Sequence, residues 1–212
     1  MRIFAVLILA ASAWAQVADN ANKSYKTKEG RDKIAATLDD PHRDGKQKPE
    51  ELVAAMNIKP GMTIADIGTG TGYMLPFLSH ATGATGKVYG EDIQTDFLDR
   101  ARLKKEPNVE LILGTETDPK LPPASVDVAL VLDVYHHFDF PDKMLAAIRR
   151  GLKPGAHLVI VDFYKSASPS PGHIRLERDE VAAEIEHNGF HLLGKREHIP
   201  KTQYMLTFEK TR

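Results

Sequence analysis

Thr63-Ile64-Ala65-Asp66-Ile67-Gly68-Thr69-Gly70-Thr71-Gly72 is a short apolar run carrying one acid, followed by glycines at alternate positions. The run has the length of a buried strand, and glycine lets the backbone that follows turn through positive φ and approach a ligand closely. A helix opening just after such a turn points unpaired amides at whatever sits there. Strand, tight turn and helix start are therefore predicted in that order, and together they cradle a small molecule.

Working outward, the same strand-and-helix rhythm repeats. Lys59-Pro60-Gly61 turns the chain into the first strand, and Gly72 begins a helix with Met74, Phe77 and Leu78 on its buried side. Gly83 and Gly86 close that helix before Lys87-Val88-Tyr89-Gly90-Glu91-Asp92, a second strand ending in acids. An acid there, about 20 residues past a glycine turn, is placed to accept hydrogen bonds from ribose hydroxyls. Val109 to Leu113 alternates as a third strand, and Val126 to Leu132 is apolar enough for a central parallel strand buried on both faces. That fourth strand runs into Asp133-Val134-Tyr135-His136-His137-Phe138. Leu145, Ile148 and Leu152 recur at helical spacing, and Lys153-Pro154-Gly155 is predicted to stop their helix before a fifth strand, His157 to Phe163. A helix over about Asp179 to Asn188 follows, then strands over His191 to His198 and Gln203 to Glu209, close enough in sequence to pair as an antiparallel hairpin.

The pattern Asp-x-Gly-x-Gly-x-Gly from Asp66 to Gly72 resembles motif I of the class I S-adenosylmethionine-dependent methyltransferases. Asp92, the loop from Asp133, Leu152-Lys153-Pro154-Gly155 and the terminal hairpin extend the resemblance over about Lys48 to Lys210. It implies an α/β, Rossmann-like doubly wound seven-stranded sheet, mostly parallel with a C-terminal antiparallel hairpin, and S-adenosyl-L-methionine as cofactor. On the same ground Asp66, Gly68, Thr69, Gly70 and Gly72 are expected at the methionyl end, Asp92 at the ribose, and Glu116 and Asp118 at the adenine, with Asp118 favoured; Ile93 is expected as a further cofactor contact. Asp133 is expected to contact the methionine portion or to orient a partner in catalysis, with His136 or His137 as proton acceptor, since imidazole titrates near neutral pH. Arg43, Gln47 and Lys48 are candidate contacts to a carboxylate or to substrate, and Tyr135, His173 and Arg175 are further candidate substrate contacts. No metal site is expected. Glu91 departs from the family pattern, where a small or apolar residue is common before the ribose acid, and no inserted substrate-recognition domain is present.

Two other classes fit parts of the sequence. An exported protein that binds an adenosyl ligand without turnover would keep the cradle. A nicotinamide-dependent oxidoreductase would share Asp92, but G-x-G-x-x-G needs glycine where Tyr73 stands.

Composition narrows the partners. In 212 residues, 28 Lys and Arg balance 29 Asp and Glu with no block of like charge, so nucleic acid is not expected and a small-molecule or protein acceptor is. The absence of cysteine removes disulfides and thiolate chemistry. Residues 1–15 carry one Arg, an apolar run and Ala13-Trp14-Ala15, the pattern of a cleaved secretory leader, too short for a stable membrane span. Export to the periplasm is expected if it is used; otherwise the chain is cytoplasmic or anchored at its N-terminus. Residues 16–30 are polar and aperiodic, expected as a flexible tether to a catalytic domain over 31–212.

Overall fold

A computed structural model of the protein describes residues 16–168, 170 and 172–211, so the expected leader lies outside the described residues. Seven strands form one sheet: β1 Thr63–Ile67, β2 Lys87–Asp92, β3 Val109–Leu113, β4 Val126–Leu132, β5 Leu152–Phe163, β6 Phe190–Ile199 and β7 Gln203–Lys210. Their order is β3-β2-β1-β4-β5-β7-β6, with β7 antiparallel to both neighbours and the other pairs parallel. This is the doubly wound, Rossmann-like sheet with its C-terminal hairpin. Between β1 and β4 the order of strands reverses, and such a switch point opens a crevice at the carboxyl ends of the strands.

Alternation along the central strands sorts side chains to two cores. Ala65, Ala129, Val131, Leu158 and Ile160 face one side of the sheet, where α7 (Pro141–Gly151) brings Leu145 and Ile148 and α8 (Arg178–His187) brings Val181 and Ile185. Ile64, Val128, Leu130, Val159 and Val161 face the other. There α4 (Pro49–Ala55) contributes Leu52 and α5 (Leu75–Thr82) contributes Leu75 and Leu78. Burying both faces excludes water from β1 and β4 and fixes their carboxyl ends. Among the described residues no helix is long and apolar enough to cross a membrane.

Two expectations are corrected. The fifth strand begins at Leu152, which pairs with Val126 ahead of an irregularity, so Lys153-Pro154-Gly155 lies inside the strand. Residues 16–30, expected as a flexible tether, are instead largely helical and hydrogen-bonded to the domain. Asp19–Asn22 is α1, Lys23–Lys26 a 3-10 turn and Lys28–Leu38 α2, capped by the Thr27 hydroxyl accepting from Gly30 N–H at 3.1 Å. Ala18 N–H donates to Asp139 Oδ1 at 3.1 Å, and Asn22 Nδ2 donates to His137 O and Asp139 Oδ2, each at 3.0 Å. The segment is polar because its partners are polar groups more than a hundred residues away, which local periodicity does not register.

Candidate active site

At the switch point the chain encloses a cavity of about 1030 Å³. Gly68, Thr69 and Gly70 after β1, Asp92 and Ile93 after β2, and Asp133 to Phe138 except Tyr135 line its inner wall. Its outer wall is the N-terminal segment, with Asn22, Tyr25, Leu38 and Arg43, followed by Gln47 and Lys48. Such a volume stands at the upper end of the roughly 300–1,000 Å³ usual for ligand pockets.

Around the glycine turn the walls are acidic. Asp66 accepts from the Thr69 hydroxyl at 2.6 Å, and burial pushes its carboxyl up to about 6. Asp92 accepts from Gly70 N–H at 2.9 Å and Gln94 N–H at 2.8 Å; burial lifts it to about 6 in spite of these bonds. Gly68 and Gly70 take φ of +71° and +57°, and a Cβ on Gly68 would stand 2.5 Å from Val134 Cγ1. Asp133 also sits in the left-handed region, at φ +58°, and accepts from Gln203 Nε2 at 2.7 Å. Gln203 in turn accepts from Gln47 Nε2 at 3.1 Å. Burial, and then the nearby Asp162 carboxylate, raise Asp133 to about 7 against the pull of Arg43 and His136. The Arg43 guanidinium lies 4.0 Å over the Tyr73 ring and favours the charged forms of both Asp66 and Asp133. Glu91, wholly buried beneath the turn, accepts from Gly68 N–H at 3.3 Å and is pushed well above the usual carboxylate range by burial. Gly114 is required opposite it, because a Cβ there would come within 1.8 Å of Glu91 Oε1.

The far end of the cavity is built from histidines. His136 and His137 lie on the 3-10 turn Tyr135–His137 after β4, and His173 comes from the loop after β5. His136 Nδ1 lies 2.7 Å from Asp162 Oδ1, and the other oxygen of Asp162 accepts from the His136 backbone N–H at 3.1 Å. Burial lowers the basicity of His136, but Asp162 and Asp133 outweigh it and raise its pKa. His137 and His173 are lowered, by burial first and then by the other imidazoles. Leu132, Phe138, Met144 and Phe163 give this end apolar walls.

Comparison with known proteins settles the family. A family model described as "Methyltransferase domain" matches residues 65–160. The crystal structure of a SAM-dependent methyltransferase from Aquifex aeolicus superposes with a TM-score of 0.79 and 30% identity, covering 84% of this chain and 98% of that one. This chain belongs to the S-adenosylmethionine-dependent methyltransferases. A methyltransferase activity on a named acceptor does not follow from the curated relatives, because the chain spans only part of them. It is 34% identical over 111 residues to an uncharacterized 37.1 kDa protein in transposon TN4556 of Streptomyces fradiae, covering 51% of this chain and 32% of that protein. It is 31% identical over 121 residues to the ubiquinone/menaquinone biosynthesis C-methyltransferase UbiE of Burkholderia orbicola, covering 55% of this chain and 49% of that protein.

The methyltransferase cofactor, S-adenosyl-L-methionine, joins a cationic sulfur and an ammonium to a carboxylate, a ribose diol and an adenine ring. The donor set fits it: the acids Asp66, Asp92 and Asp133, the guanidinium of Arg43 and the apolar side chain of Ile93 all border one cavity.

Several expected contacts are elsewhere. Gly72 does not line the cavity; its φ of +81° and its packing against Leu75 and Ala101 make it the joint between turn and α5. Asp118 is turned away because the loop closes on itself through Thr115 N–H to Asp118 O at 2.9 Å; its carboxylate accepts from Arg150 at 2.8 Å, leaving Glu116 at the cavity. Tyr135 is a core residue whose hydroxyl donates to Glu184 at 2.6 Å, and Arg175 pairs with the same Glu184. Neither faces the cavity. Lys48 does, with its ammonium 3.2 Å from Glu51. Gln47, expected beside Arg43 and Lys48, lines the cavity, whereas Asn22, Tyr25 and Gln203 are cavity residues that sequence reasoning missed, and no local pattern marks them. Asp162 had one available signal, an acid near the end of an apolar strand.

Proposed function

We propose that this methyltransferase acts on an oxygen, sulfur or nitrogen atom of a small molecule held between the N-terminal helices and the histidine cluster. The observation that carries this is the single cavity with acids and the glycine turn at one end and His136, braced by Asp162, at the other. S-adenosylmethionine supplies an electrophilic methyl group on a cationic sulfur. In this assignment Asp92 accepts from the ribose hydroxyls, Ile93 and Glu116 border the adenine, and Asp66 and Asp133 favour the positive charges. Arg43 holds the carboxylate. The glycine turn fixes the methionyl end, and the apolar walls at Phe138, Met144 and Phe163 keep water from the acceptor, so alignment supplies much of the rate.

Heteroatoms are favoured over carbon because an O–H, S–H or N–H must lose a proton as it is methylated, and imidazoles suit that task near neutral pH. The C-methyltransferase relatives make carbon the competing acceptor. Full-length protein incubated with methyl-labelled S-adenosylmethionine and a panel of thiols, phenols and amines tests the proposal, with NMR locating the label. Label on a heteroatom supports it. Label on carbon overturns the atom assignment, and no transfer by protein that binds S-adenosylmethionine favours the ligand-binding alternative.

A further inference from the structure

His136, His137 and His173 each bring one ring nitrogen to a common point, and these atoms all lie within 4.8 Å of one another. Their tautomers follow from the neighbours. A carboxylate only accepts, so His136 Nδ1, 2.7 Å from Asp162 Oδ1, carries the hydrogen and Nε2 carries the lone pair. The Asn22 amide nitrogen is committed to His137 O and Asp139 Oδ2, so its oxygen faces His137 Nδ1 at 2.9 Å. His137 therefore also turns an Nε2 lone pair inward. Neither ring nitrogen of His173 has a hydrogen-bond partner among the described residues. The rings are close, with centroids 4.1 Å apart for His136 and His137 and 5.0 Å apart for His136 and His173.

Three ring nitrogens that approach one another this closely can offer three lone pairs to a single cation. We propose that these three histidines bind one divalent transition-metal ion, zinc being the best match, with Asp162 and Asn22 as positioning residues. An all-imidazole set suits zinc, copper, nickel or iron and not magnesium or calcium. A ligand histidine whose other nitrogen donates to a carboxylate or carbonyl oxygen is the usual outer arrangement of a metal site, and both inner histidines have it. Zinc–nitrogen bonds of roughly 2.0–2.1 Å in a tetrahedron put the nitrogens about 3.4 Å apart. Closing from 4.8 Å asks for small ring rotations, of which His173 on its loop is the freest. Three protein ligands leave a fourth position, the pattern of catalytic rather than structural zinc.

The site departs from the sequence expectation of no metal. Its use rests on the methyltransferase reading, with the metal taking over the role given there to a free imidazole: the open position takes the acceptor's oxygen or sulfur, whose bond to hydrogen breaks with the proton passing to water and the metal unchanged in oxidation state. The acceptors so favoured are phenols, enols and thiols.

The test uses full-length protein without a histidine tag, stripped with chelator and titrated with Zn²⁺ and then Co²⁺. Expected are one ion per chain, visible bands of low-symmetry Co²⁺, loss of both in His137→Ala and His173→Ala, and weakening by about 10- to 100-fold in Asp162→Asn. S-adenosylmethionine binding is measured on every sample. Absence of metal binding by protein that binds S-adenosylmethionine overturns the metal site and leaves the methyltransferase reading standing. Metal binding that persists in the double variant His137→Ala, His173→Ala overturns the ligand set. Metal binding by protein that fails to bind S-adenosylmethionine supports the site and overturns its proposed use.

Discussion

Replacing Asp133 by Asn removes a charge that the folded chain holds at a cost, so the variant gains stability over the parent as pH rises. The Asp133 carboxyl is lifted from an ordinary 3.8 to about 7 by burial and by Asp162. Because the folded pKa exceeds the unfolded one, the folded chain binds more protons than the unfolded chain between those values, and stability falls as pH climbs through that window. At 1.36 kcal/mol per unit, the penalty reaches about 1.6 kcal/mol at pH 5 and about 4 kcal/mol at pH 8, an upper limit for a carboxyl facing a cavity that water enters. Asn keeps an oxygen to accept from Gln203 and tolerates the left-handed backbone at this position. Asp66 and Asp92 titrate in both proteins and cancel in the difference. Urea unfolding of both at pH 5 and pH 8 should show the advantage of Asp133→Asn growing by up to about 3 kcal/mol over that interval. The same charge attracts the cationic cofactor, so parent affinity for S-adenosylmethionine should rise from pH 5 to pH 8 more steeply than that of the variant. A stability advantage that is flat or shrinks with pH would refute the reasoning.

Three further substitutions address the rest of the cavity. Asp92→Ala should weaken S-adenosylmethionine binding by about 1.5–3 kcal/mol, the worth of hydrogen bonds to a charged group, read by calorimetry. Gly68→Ala meets both a positive φ and Val134, so it should lower stability in urea by more than the about 1–2 kcal/mol of the left-handed backbone alone. Adding Val134→Ala should return part of that loss, and no return would mean that the close approach is not the cause. Asn22→Ala removes the side-chain partner of His137 Nδ1 and of Asp139 Oδ2, while Asp139 Oδ1 keeps Ala18 N–H. It should raise the acceptor KM while S-adenosylmethionine affinity stays near the parent value, and an equal loss of both would show that the N-terminal helices support the whole cavity.

Much of the sheet was legible because its signals are local. The bounds read for β2, β3 and β4 coincide with those observed, since β4 is a central apolar run and β3 an alternating edge strand, and each of the three ends at a glycine or an acid. The start of β5 was misread for an equally local reason. Lys153-Pro154-Gly155 is a strong breaker, yet Leu152 opposite Val126 is already in the sheet, and Gly155 at φ +72° absorbs the irregularity.

The site divides along the same line. Its cofactor half, Asp66 to Gly70 and Asp92, is carried by residues at the ends of consecutive strands, where spacing in sequence is spacing in space. Its acceptor half is assembled across the chain: Asn22 reaches His137, Gln203 reaches Asp133, and Asp162 reaches His136. None of these pairs has a characteristic separation, so each member alone reads as an ordinary polar residue of a helix or strand end. The two misplaced acceptor contacts follow from this. Tyr135 and Arg175 stand close to the histidines in sequence, but successive side chains of the 3-10 turn at Tyr135–His137 are rotated by about 120°, which turns Tyr135 away from the cavity. Tyr135 goes to Glu184 and Arg175 in the core while His136 and His137 go to the cavity. The three histidines converge only because the loop after β5 folds back over that turn, a juxtaposition set by β4 and β5 lying side by side in the sheet.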